Sequence, residues 1–130
     1  MASEYNILVV DDHEDLRLDL RDILKLEGYA VWTAANGKDA LKVFHKREVD
    51  MVISDYEMPN MNGYTLLRYL RTQQTTARLP FILMSGGNPP SIEGDENFCF
   101  LKKPIIIEKL ISRIKLIQSR PLNDSQRAAD

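Results

Sequence analysis

Ile7-Leu8-Val9-Val10 is apolar at every position and is followed at once by Asp11-Asp12. A strand with one wet face alternates apolar and polar residues, so an unbroken run belongs in the middle of a sheet covered on both sides. Such sheets are parallel and carry helices on their faces. The pattern recurs down the chain: Met51-Val52-Ile53-Ser54 leads to Asp55, Phe81-Ile82-Leu83-Met84 to Ser85, and Phe98-Cys99-Phe100-Leu101 to Lys102-Lys103-Pro104. Tyr29–Ala34 supplies one more strand. At 130 residues the chain is one ordinary domain, large enough for a continuous core.

Amphipathic segments separate these runs. From Glu14 to Glu27, Leu16, Leu20, Ile23 and Leu24 recur at helical spacing, and Gly28 suits a C-terminal cap. Ala40, Leu41 and Phe44 mark a helix after Asn36-Gly37, and Leu66, Leu67 and Leu70 mark another after the loop 56–63. Gly86-Gly87-Asn88-Pro89-Pro90 breaks helices, so a fourth helix there is short or missing. Ile107, Leu110, Ile111, Ile114 and Ile117 form the stripe of a last helix, ending near Gln118. Residues 119–130 read as a polar, disordered tail or the start of a linker, leaving 1–118 as the folded domain. The fold class is α/β, a doubly wound five-stranded parallel sheet.

A net charge of −2 gives no basis for nucleic-acid binding. The N-terminus lacks the features of a signal peptide and no apolar run reaches membrane-spanning length, so the expected location is cytoplasmic, with no membrane partner. One cysteine, Cys99, excludes an internal disulfide and reads as a small hydrophobe.

Parallel α/β sheets put all strand C-termini on one edge, where such folds bind ligands. Asp11, Asp12, Asp55, Ser85 and Lys103 therefore converge. Three carboxylates together repel, and a divalent cation relieves them; oxygen donors favour Mg2+, which a phosphate oxygen readily completes. Asp55 is the natural nucleophile toward phosphorus, with Lys103 and Ser85 contacting the phosphoryl oxygens. Taken alone, an Asp-Asp pair after a strand is more often a helix N-cap than a metal site; the full set reverses that reading. His13 reads as a solvated residue at the helix start, Tyr64 and Tyr69 as packing residues, and Met58 and Met61 as filling beneath the loop.

Val9-Val10-Asp11-Asp12, Ile53-Ser54-Asp55, Met58-Pro59 with Gly63, Met84-Ser85 and Lys103-Pro104 closely resemble the receiver domain of two-component response regulators. The resemblance covers roughly residues 5 to 117. It implies a flavodoxin-like strand order of 2-1-3-4-5 and a phosphorylation-dependent signalling switch, not an enzyme in the ordinary sense. The phosphoryl donor would be a sensor histidine kinase or histidine phosphotransfer protein, acting on an unnamed downstream protein target. By position, Asp55 is the phosphoacceptor, Asp11 and Asp12 the acidic Mg2+ pair, and the Glu57 carbonyl a further metal ligand. Ser85 is the switch hydroxyl, Phe100 the switch aromatic and Lys103 the phosphoryl-contacting lysine, taken over Lys102 because it directly precedes Pro104. A cis Lys103-Pro104 bond is also implied.

Three positions depart from the family pattern. Phe100 stands where a tyrosine is common, Gly86-Gly87 and Pro89-Pro90 interrupt the usual fourth helix, and Glu57 puts an acid two residues beyond Asp55. Other readings are a Mg2+-dependent aspartyl phosphohydrolase, which Asp55-Tyr56-Glu57 imitates only loosely, and a degenerate receiver that binds partners without phosphorylation. A dinucleotide domain needs a Gly-rich turn where this chain has Asp11-Asp12-His13. Ile105 and Leu116 lie off the last helix's stripe and are either a partner surface, including a homodimer face, or a strand-junction cap and an isolated exposed residue.

Overall fold

A computed structural model describes residues 4–88, 92 and 94–120. The elements run β1 (Asn6–Val10), α1 (Glu14–Leu26), β2 (Ala30–Ala34), α2 (Gly37–Lys46), β3 (Met51–Asp55), α3 (Gly63–Arg71), β4 (Phe81–Ser85), β5 (Phe98–Lys102) and α4 (Ile107–Gln118). All strands are parallel in the order β2-β1-β3-β4-β5, the flavodoxin-like arrangement. Among the described residues no helix stands between β4 and β5, as the Gly and Pro content requires. The expected disorder of the tail falls on residues 121–130, outside the described residues.

Period-two alternation divides each central strand between two cores. Ile7, Val9, Met51, Ile53, Ile82 and Met84 face α1 and α4, where Leu20, Leu24, Leu110 and Ile114 cover them. Leu8, Val10, Val52, Phe81 and Leu83 face the other way, against Ala40 of α2 and Leu66, Leu67 and Leu70 of α3. β3 and β4 are buried at all five positions each, which is why their sequences show no polar alternation.

Local chemistry sets the element ends. Asn36 Oδ1 accepts a hydrogen bond from the Asp39 amide, and Asn62 Oδ1 one from the Thr65 amide, each 2.8 Å, so both asparagines cap helix N-termini. Gly28 ends α1 at φ +98°, a conformation that costs glycine little.

Two expectations about packing need correction, and one open choice is narrowed. Leu16, in the first turn of α1, is 50% exposed rather than part of the buried stripe. Tyr69 is 45% exposed and packs little, whereas Tyr64 does pack against the α2–α3 core. Ile105 is partly buried against the α1–α4 core, in keeping with the strand-junction reading, whereas Leu116 is exposed.

Candidate functional site

The C-terminal ends of β1, β3, β4 and β5 build the site. The Asp11 amide donates to Ala34 O at 3.1 Å, so the sheet ladder runs on into the acidic pair and fixes Asp11, which is 1% exposed. Arg17 Nη1 donates to Asp11 O at 2.8 Å, tying the loop to α1. Asp12 lies outward and is exposed.

At the end of β3 the backbone is held from two sides. The Tyr56 amide donates to Met84 O (2.8 Å) and the Gly63 amide to Tyr56 O (2.9 Å). Gly63 is packed so tightly that an added Cβ would collide with the Asp55 carbonyl oxygen and lie 2.7 Å from Leu83 Cδ1. The next loop turns through Asn60, whose positive φ of 71° is one that asparagine tolerates.

Asp55 is 1% exposed. Lys103 Nζ lies 2.6 Å from its Oδ1. Among the described residues, neither carboxylate oxygen of Asp55 accepts a hydrogen bond of good geometry, so the lysine contact is an ion pair and Oδ2 is left without a partner. Burial pushes the Asp55 carboxyl above the ordinary carboxylate value. Contact with Lys103 and its charge act against that rise, while the negative charges of Asp11 and Asp12 add to it. A buried, partnerless carboxylate oxygen is costly unless something fills the position.

Lys103 is placed by the chain after β5: its amide donates to Ser85 O at 2.8 Å, and the Lys103-Pro104 bond is cis. Lys102 is exposed, whereas Lys103 reaches Asp55. Ser85 is 3% exposed, and its Oγ accepts from the Gly87 amide at 3.0 Å. Phe100 is half-buried on β5, in register with Leu83. Glu57 is exposed and its carboxylate is not among the clustered groups.

One neighbour was not anticipated. His13 turns its ring back over the acidic pair, with Nδ1 3.2 Å from Asp11 Oδ1 and 3.3 Å from Asp12 Oδ1, although the side chain is 61% exposed. Its amide also donates to Asp11 Oδ1 at 2.9 Å, and this short-range turn steers the ring inward. One donor atom from each of Asp11, Asp12, His13 and Asp55 lies within 4.8 Å of the others. Beside this cluster runs a groove of about 390 Å3 between α1 and the β5–α4 connection, lined by Leu16, Leu20, Ile23, Met84, Lys103 and Ile105 among others.

The profile of the response regulator receiver domain matches residues 7–115. The sensor kinase CckA of Brucella abortus is 35% identical over 121 residues, a stretch that is 88% of this chain and 13% of that kinase. The chain thus spans a small part of that relative's length. A putative response regulator from Chloroflexus aurantiacus superposes with a TM-score of 0.81 at 31% identity, covering 91% of this chain and all of that one (100%). The chemotaxis protein CheY4 of Vibrio cholerae gives 0.80 at 28% identity, over 88% of this chain and 99% of its own. With the strand order and the acidic strand-end cluster, these likenesses make the chain a member of the response regulator receiver domain family, the phosphoacceptor signalling switches of two-component systems.

Proposed function

We propose that this receiver is switched by phosphorylation of Asp55 in the presence of Mg2+. The observation that carries the reading is the Asp55 carboxylate itself: 1% exposed, without a hydrogen bond at either oxygen among the described residues, beside two further aspartates and paired with one lysine. The orphaned Oδ2 and the oxygen-rich neighbourhood fit a hard divalent cation. Asp11, Asp12 and Asp55 would hold it, with the Glu57 carbonyl as a further donor. Bound there, it would offset negative charge gathering on the phosphoryl oxygens.

The remaining steps belong to the chain's own groups. The Asp55 carboxylate attacks phosphorus in line, an O–P bond forms as the donor's P–N bond breaks, and the donor imidazole leaves. Lys103, freed from its pairing with the carboxylate, turns its ammonium to a phosphoryl oxygen. Ser85 keeps its O–H for a second phosphoryl oxygen, since its contact with Gly87 uses only a lone pair. Moving Ser85 inward opens room beside β5 for Phe100, and the altered β5 face reports the state to a downstream protein. A phosphohistidine-bearing kinase or phosphotransfer protein would approach along the groove between α1 and the β5–α4 connection, where Leu16 offers apolar contact.

Intact mass after incubation with acetyl phosphate tests this reading. We expect a gain of one phosphoryl group that requires Mg2+ and is absent in Asp55→Asn. Beryllofluoride and Mg2+ both failing to bind the wild type would instead indicate a phosphorylation-independent receiver.

A further inference from the structure

The acidic site contains a nitrogen donor. We infer that His13 Nδ1 is a direct ligand in the divalent-cation site, and that this makes the site select borderline metals such as Co2+ and Zn2+ over Mg2+ more strongly than an all-oxygen receiver site would. The inference rests on the metal-binding reading given above and extends it to the identity of the ion.

The first support is spacing. Adjacent ligands on an octahedral ion with bonds of about 2.1 Å are separated by about 3 Å along the edge. His13 Nδ1 stands 3.2 Å from Asp11 Oδ1 and 3.3 Å from Asp12 Oδ1. The imidazole nitrogen thus stands from one oxygen of each aspartate at separations close to two edges of an octahedron.

A second observation is independent of His13. Asp55 is 1% exposed, its Oδ2 has no protein partner among the described residues, and its carboxylate reaches into the same 4.8 Å cluster. A buried carboxylate with an open oxygen and one atom within reach of three other donors is what a cation would complete.

The third support concerns position and chemistry. His13 is the N-cap residue of α1, yet its side chain makes no capping hydrogen bond. Its ring is turned to the aspartates, and 61% of it remains open to solvent, so it can adjust as an ion enters. Imidazole suits Zn2+ and its transition-metal neighbours, whereas Mg2+ takes oxygen and keeps its waters. Replacing one oxygen or water by an imidazole nitrogen therefore raises affinity for the borderline ions and does little for Mg2+.

Calorimetric titration of the chelator-treated protein with Mg2+ and with Co2+ tests this, on the wild type, His13→Ala and His13→Asn. The ratio of Co2+ to Mg2+ affinity should fall by at least roughly tenfold in His13→Ala, the lower end of what even outer-shell partners of a metal cost when removed. His13→Asn, which returns an oxygen donor, should leave Mg2+ binding intact with the ratio still low. The visible spectrum of bound Co2+ should also shift in both variants, because the nitrogen ligand is lost. An unchanged ratio with an unchanged spectrum overturns the role of His13 and leaves the oxygen-ligated site standing. If the wild type binds neither ion, both the inference and the metal-binding reading fall.

Discussion

Lys103 Nζ lies 2.6 Å from Asp55 Oδ1, joining a side chain that is 29% exposed to one that is 1% exposed. The lysine reaches Asp55 from the connection after β5, and its charge pulls the Asp55 carboxyl down against burial and the neighbouring aspartates. Lys103→Gln removes that pull and keeps most of the side-chain volume. Carboxyl-carbon NMR should show Asp55 titrating at a higher pH in the variant; a midpoint at or below the wild-type value would mean that the contact carries little charge interaction in solution.

The raised Asp55 carboxyl also makes stability depend on pH. The folded state holds this proton more tightly than the unfolded chain, whose carboxyl has the ordinary value of 3.8. The stabilisation from protonated Asp55 is complete below that value and is lost as pH rises through the folded-state value. In metal-free protein at neutral pH, Asp55→Asn should therefore be the more stable form, and its advantage should shrink toward pH 4 and below. Urea melts of both proteins across that range decide the point.

Divalent-cation binding should repay the cost of the clustered carboxylates. At a hundredfold excess over the dissociation constant, a ligand bound only by the folded state adds about 2.7 kcal/mol. Thermal unfolding with Mg2+ added and then removed by chelator should show a reversible rise in Tm in the wild type and a much smaller one in Asp55→Asn. Equal rises in the two proteins would place the binding elsewhere.

Gly63→Ala probes the floor of the site. The new methyl would press on the Asp55 carbonyl, which is backbone and cannot yield as a side-chain end can, and on Leu83. Overpacking of this kind costs roughly 1–3 kcal/mol. Beryllofluoride affinity should fall along with stability, because the displaced group carries the carboxylate proposed as the acceptor. Loss of stability with full affinity would show that the strain is absorbed on the Leu83 side.

Arg71 is the other structural ion pair worth breaking. Its Nε donates to Asp95 Oδ2 at 2.8 Å, and its guanidinium also reaches Thr76 O and Asn97 O, each at 3.2 Å. Both side chains of the pair are mostly buried, 17% and 15% exposed. Breaking a fully buried pair costs about 3–5 kcal/mol, so Arg71→Met at this partly covered site should cost about 2 kcal/mol. A lower urea midpoint with an unchanged slope would be the signature.

Much of this architecture could be read directly from the chain. The unbroken apolar runs located the strands because β3 and β4 are covered on both faces, and the residue after each run fell on the functional edge because parallel strands share it. The positions of Asp11, Asp55 and Ser85 at that edge were recoverable for that reason. What depended on contacts between charged or polar residues was not. Arg71 and Asp95 are 24 residues apart, and each reads in isolation as an ordinary solvated charge. His13 was assigned to solvent, and much of its surface is there; the turn that bends it back depends on a hydrogen bond to Asp11 that hydrophobic periodicity does not encode. Leu16 fits the helical stripe perfectly well, yet in the first turn of α1 it is left half exposed.

The arginine clasp has a corollary for the loop before it. By fastening Asp95 and Asn97 to the end of α3, Arg71 anchors the start of β5 independently of the chain between Ser85 and Asp95. Closing a longer loop between fixed ends is cheap, about 0.6 kcal/mol for each doubling of its length. Lengthening that stretch should therefore cost little stability, because the hold of Arg71 on the sheet edge does not depend on how much chain lies between.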